Sequence, residues 1–137
     1  MKIEDYMHTE PHTAAPDDLV SAAYHRMREA GIRHLPVVTD DVKLVGILTD
    51  RDIRQANAST EPQLATHEWI AVLEKMTVES IMTTQVQTIG RDMPVADAGQ
   101  LFLDHKFSCL PVVRDGAIVE GIVTVTDLLR AYVAQHT

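Results

Sequence analysis

Leu35-Pro36-Val37-Val38, followed by Gly46-Ile47-Leu48-Thr49 and by Asp52-Ile53, occurs a second time as Leu110-Pro111-Val112-Val113, Gly121-Ile122-Val123-Thr124 and Asp127-Leu128. Each piece moves by the same 75 positions. Extended at that offset from Glu4/Glu79 to Ala56/Ala131, 17 of 53 pairs are identical, and no gap is needed. Average residue frequencies give about three or four identities by chance. The chain therefore contains one unit twice, and an internal repeat governs every later reading of the architecture.

Both copies predict the same elements. After Pro16, Asp17 or Asp18 is placed to cap a helix whose apolar positions are Val20, Ala23, Met27 and Ala30, with Gly31 as its stop. In the second copy Asp92 precedes Pro94, which suits a first helical turn, and Val95, Ala98, Leu101, Phe102 and His105 follow. Next comes the Leu-Pro-Val-Val strand and a turn, Thr39-Asp40-Asp41 or Arg114-Asp115-Gly116. A second strand covers Val42 to Leu48 or Ala117 to Val123. A helix then starts near Asp50 or Val125, capped by Thr49 or Thr124 in a Thr-x-x-Asp box. A short opening strand is expected near Pro11–Thr13 and Val86–Thr88. Between the copies, Ala58-Ser59-Thr60-Glu61-Pro62 is a turn-rich break, and His67 to Met76 reads as a short helix with an apolar face. The expected division is 1–57, a linker over 58–76, and 77–137.

Composition narrows the function. The net charge is −8 and no Lys/Arg run occurs, so nucleic acid is not an expected direct partner. A small anion stays possible, because a few local cations suffice for one phosphate. One cysteine, Cys109, allows no internal disulfide and no paired-cysteine metal site. There is no signal-peptide core and no run of about 18 apolar residues, so the expectation is a soluble cytoplasmic protein with no membrane segment.

The Leu-Pro-Val-Val and Gly-Ile-hydrophobic-Thr-x-x-Asp elements, twice in one short chain, resemble the cystathionine-β-synthase (CBS) domain. Tyr6-Met7-His8 and Ile81-Met82-Thr83 fit the start of that domain. The resemblance implies an α/β (α+β) fold of two β-α-β-β-α repeats, related by a pseudo-twofold axis and packed through their sheets. It implies two clefts that bind AMP, ADP, ATP or S-adenosylmethionine, and a regulatory effect on a partner protein. It also implies a homodimer and a stand-alone module that requires no cofactor.

Carried over residue by residue, the resemblance assigns Asp52 and Asp127 to ribose hydroxyls. A carboxylate accepts from both hydroxyls of a cis-diol. Thr49 and Thr124 would meet phosphate at a helix N-terminus. One cleft is expected to combine Thr124, Thr126 and Asp127 with Pro11, His12, Arg33 and His34, over Ile122. The other combines Thr49, Arg51 and Asp52 with Val86, Gln87, Ser108 and Cys109, over Ile47. Arg33 and His34 favour the Asp127 cleft for a charged nucleotide.

Plainer readings stand beside these. Asp52 and Asp127 also serve as helix caps, and Asp50 and Asp52 together are a common helix start. Arg33 and His34 also fit a solvated edge. Cys109 reads as a small buried thiol, because no His–acid pair is spaced to activate it. His8 and His12 flank Glu10, but Pro11 argues against the helix a shared metal would need. No metal set, nucleophile–base pair or glycine-rich loop is present, so an enzyme is not expected. The alternatives to a nucleotide sensor are a ligand-free dimerising module and a binder of S-adenosylmethionine.

Overall fold

In each copy the proline strand pairs antiparallel with the glycine strand, and the two pairs share one register. The computed structural model describes residues 1–39, 42–58 and 66–137. The elements are β1 (His8–Thr9), α1 (Val20–Ala30), β2 (His34–Val38), β3 (Leu44–Thr49), α2 (Asp50–Ala58), α3 (Thr66–Leu73), α4 (Val95–Asp104), β4 (Cys109–Arg114), β5 (Ile118–Thr124) and α5 (Val125–Gln135). The fold is mixed α/β, with sheets β2-β3 and β1-β5-β4. Pro36 opposes Ile47 and Pro111 opposes Ile122. The register slips at Val37/Val38 and again at Val112/Val113, so even the irregularity repeats.

The hairpins show why the turns lie where they do. Asp115 and Gly116 both take positive φ, 48° and 87°, and Ala117 N–H closes the turn on Arg114 C=O at 3.2 Å. Two positive φ values match the right-handed twist of the flanking strands. Strand β5 thus begins at Ile118 rather than at Ala117. In the first copy Val42 sits at φ 57°, still turning, so β3 begins at Leu44. The expected turn residues Asp40 and Asp41, and positions 59–62 of the expected break, lie outside the described residues.

Three expectations are corrected. Helix α1 is preceded by extended Leu19 with no side-chain cap; Asp18 instead accepts from Ala15 N–H at 2.9 Å. Pro94 is itself the extended residue before α4, and α4 ends at Asp104, leaving His105 outside it. Gly31 does end α1, at φ 67°. No opening strand forms at Pro11–Thr13 or Val86–Thr88. Single parallel bridges form at Ala14 with Val37 and at Ile89 with Val112. Pro11 lacks the N–H a ladder needs.

The chain condenses into two compact units, His12–Gln85 and Met1–Pro11 with Val86–Thr137. Compact unit and sequence repeat are therefore not the same segment, because the opening pieces are exchanged. Thr83 bridges Ile47 on β3, whereas β1 pairs with Ile122 and Gly121 on β5. The glycines explain this approach. A Cβ on Gly46 would lie 2.8 Å from Thr83 O, and one on Gly121 would lie 2.7 Å from His8 O. Each unit then closes its own apolar core, one around Leu35, Val37 and Leu48, the other around Leu110, Val112 and Val123. No described helix is long and apolar enough to cross a membrane.

Candidate functional site

Each Thr-x-x-Asp motif lies where a sheet strand runs directly into a helix. In the His12–Gln85 unit, β3 ends at Thr49 and α2 begins at Asp50. Thr49 N–H donates to Asp52 Oδ2 at 3.0 Å, and Asp52 N–H donates to Thr49 Oγ1 at 3.1 Å. That reciprocal pair satisfies two N–H groups free at a helix start. The remaining oxygen, Oδ1, accepts from the Thr83 hydroxyl at 3.1 Å. Asp52 is half-buried.

The second motif has the same frame with a tighter lock. Thr124 N–H and Oγ1 both donate to Asp127 Oδ2, at 2.8 and 3.2 Å. Oδ1 lies 2.6 Å from Arg130 Nη1 and 2.9 Å from His8 Nε2. Asp127 is fully buried. A buried carboxylate is stable only when its lone pairs are met, and here two cationic or polar donors and two local ones meet them.

The offset of 75 relates His8 to Thr83 as it relates Asp127 to Asp52. Each motif is thus completed by the exchanged opening segment. His8, Thr83 and Arg130 were not among the expected site residues. The signal was present in the sequence, since Tyr6-Met7-His8 and Ile81-Met82-Thr83 occupy matched positions. Only the exchange, which is tertiary, brings them to the carboxylates.

The structure regroups the other expected residues. His34 is the direct register partner of Thr49, and Arg33 C=O accepts from Asp50 N–H at 3.1 Å. Cys109 is the register partner of Thr124. Arg33 and His34 thus adjoin the Thr-x-x-Asp motif of their own copy, and Cys109 adjoins that of the second copy. The antiparallel hairpin is the reason, since it sets the start of one strand beside the end of the next. Residues His12, Ile47 and Arg51 lie in the compact unit of Asp52, and Pro11, Val86, Gln87, Ile122 and Thr126 in that of Asp127.

Arg33 lies in the bend just before β2, whereas His34 is the first residue of the strand. Arg33 borders a groove walled by α1, α2 and α3. His34 is half-buried, and desolvation holds its pKa below 6.5, although Asp50 opposes that shift. It is a weaker phosphate cation than its residue type suggested. Ile47 and Ile122 are buried. Burial pushes the Cys109 thiol up to about 12, so it is neither thiolate nor nucleophile. Among the described residues no three His, Cys, Asp or Glu side chains converge to hold a metal.

Comparison with known proteins agrees with this architecture. The CBS domain pattern matches residues 3–59 and again 78–134. The chain belongs to the CBS domain family. It is 31% identical over 118 residues to the inosine-5'-monophosphate dehydrogenase of Methanocaldococcus jannaschii, covering 86% of this chain and 21% of that protein. The chain thus spans about a fifth of the length of that relative. The CBS domain pair of protein MJ0100, solved in complex with 5'-methylthioadenosine and S-adenosyl-L-methionine, superposes with a TM-score of 0.82 at 32% identity, over 98% of both chains. CBSX2 of Arabidopsis thaliana, solved in complex with AMP, gives 0.84 at 25% identity, over 99% of this chain and 98% of that one.

Proposed function

We propose that this chain is a regulatory module that binds an adenosine-containing ligand at its Thr-x-x-Asp motifs and passes the occupancy to a partner protein. The observation that carries this reading is Asp52. Its carboxylate is oriented by the start of α2, it is half-buried, and among the described residues its Oδ1 accepts only a threonine hydroxyl. Such an oxygen can exchange a neutral hydroxyl for a ribose hydroxyl at little cost, since one neutral hydrogen bond replaces another. The complexes of MJ0100 and CBSX2 with adenosine ligands support it.

The same chemical logic now favours Asp52 over Asp127. Asp127 has no exposed surface, and His8 and Arg130 hold its Oδ1. Near Asp52 the cation of the motif is Arg51, with the N–H groups of α2 beside it. One guanidinium matches one phosphate, so AMP is placed ahead of ADP and ATP. S-adenosylmethionine, which carries no phosphate, is the second reading, favoured by its presence with MJ0100.

The module acts by binding rather than by catalysis. Ligand would favour one arrangement of the protein and shift the population towards it. Helices α4 and α5 expose Leu103, Leu129, Tyr132 and Val133, and we assign to them the contact between two copies in a homodimer. Thermal denaturation with AMP, ADP, ATP and S-adenosylmethionine tests the reading. At a hundredfold Kd a true ligand adds about 2.7 kcal/mol of stability. A flat response to all four would leave a ligand-free structural module.

A further inference from the structure

We propose a second ligand site in the His12–Gln85 unit, for a small amphipathic carboxylate. It is the groove of about 530 Å³ between α1, α2 and α3. Its floor includes Met27, Ile53 and Leu73, all nearly inaccessible, and Trp69 and Tyr24 flank them. Pockets that hold small organic ligands span roughly 300–1,000 Å³, with mostly apolar walls and a few polar groups at fixed places.

The polar groups here are three arginines, Arg28, Arg33 and Arg54, and one carboxylate, Asp50. Asp50 meets Arg54 only loosely, at 3.8 Å. Arg28 stands over the Tyr24 ring at 5.8 Å. Among the described residues no carboxylate forms an ion pair with Arg28 or Arg33. The rim therefore carries an excess of positive charge on a chain whose net charge is −8. Guanidinium groups above an apolar floor fit an apolar body that ends in a carboxylate, which two N–H groups can hold side by side.

The repeat supplies an internal control. At the offset of 75, Arg28, Arg33, Arg54 and Asp50 correspond to Leu103, Ser108, Leu129 and Val125. The same fold is thus built with no charge at these four places, so packing does not require the arginines. Of the Thr49–Asp52 motif only Asp50 lines the groove; Thr49, Arg51 and Asp52 do not.

Trp69 is the only tryptophan of the chain and serves as the reporter. The full chain is titrated with decanoate, and with decan-1-ol as the uncharged control, while Trp69 emission is followed. Expected is a saturable change with decanoate at one site per chain, about tenfold or more stronger than with the alcohol, as loss of a charged hydrogen bond implies. Arg28→Glu and Arg33→Glu should each weaken decanoate by a similar factor with unchanged circular dichroism, and Arg28→Glu should leave the response to AMP unchanged. If a charge reversal disturbs folding, Arg28→Gln and Arg33→Gln give the same ranking. No Trp69 response, equal affinity for the alcohol, or undiminished decanoate binding in the folded arginine variants overturns the proposal. Trp69 emission that follows protein concentration without decanoate would assign the groove to a second copy and overturn it too. The AMP response is read separately, so failure here leaves the nucleotide site standing.

Discussion

His8 Nε2 lies 2.9 Å from Asp127 Oδ1, and the matched pair in the other unit is Thr83 with Asp52 at 3.1 Å. In both cases an opening segment reaches a carboxylate at the start of a helix. The two completions differ in strength. Asp127 sits fully buried among four donor groups, whereas Asp52 keeps partial exposure and a neutral partner.

That difference makes His8 a latch on its own motif. His8→Ala removes one polar partner of the buried Asp127 and should lower stability by about 1 kcal/mol. It also leaves Arg130 as the one remaining partner of Oδ1 among the described residues, opening a place for a ribose hydroxyl. Calorimetric titration with AMP should move from one site per chain towards two. An unchanged stoichiometry would mean that Arg130 alone suffices to close the motif.

The close approach of the opening segments rests on two glycines. Gly121→Ala puts a methyl 2.7 Å from a backbone carbonyl that cannot simply rotate away. The cost of overpacking is about 1–3 kcal/mol, which exceeds the entropic gain of roughly 0.4–1 kcal/mol from removing a glycine. Gly46→Ala should behave alike, and a denaturant midpoint equal to that of the parent would refute the account of both.

Acid should destabilise the fold through His34. Burial lowers its pKa in the folded chain below 6.5, so the unfolded chain binds a proton that the folded one resists. Stability is therefore lost as pH falls through 6.5 and onward to the folded value. His34→Asn should flatten the urea midpoint between about pH 7.5 and about pH 5.5 relative to the parent. Parallel pH profiles for the two proteins would contradict this.

Much of this was legible in the sequence. The Leu-Pro-Val-Val and Gly-Ile-x-Thr runs became the paired strands, and Thr49 and Thr124 became the helix starts, because these are local signals of alternation and capping. What was not legible depended on which of several local partners won and on contacts distant in sequence. Leu19 displaced Asp18 as the residue before α1, since Asp18 is held by Ala15. The exchange of opening segments moved His8 to Asp127. Hairpin register set His34 beside Thr49, and Arg33, in the bend before β2, borders the groove between the helices.

Cys109 should be chemically silent. With its pKa pushed up to about 12 by burial, almost no thiolate exists near neutral pH. Under native conditions a disulfide reagent at about pH 8 should react only as fast as the protein unfolds, and urea should restore full reactivity. Rapid labelling of the folded chain would place Cys109 nearer the surface than the structure does.

The central claim, that Asp52 holds the ribose of an adenosine ligand, is tested most directly by calorimetric titration of AMP, then S-adenosylmethionine, into the parent chain and Asp52→Asn. Asparagine keeps the shape and a capping oxygen but loses the charge, so the helix start persists. The account predicts saturable binding of at least one of the two to the parent and a loss of about tenfold or more in the variant. No heat with either ligand, or equal binding by both proteins, would contradict it.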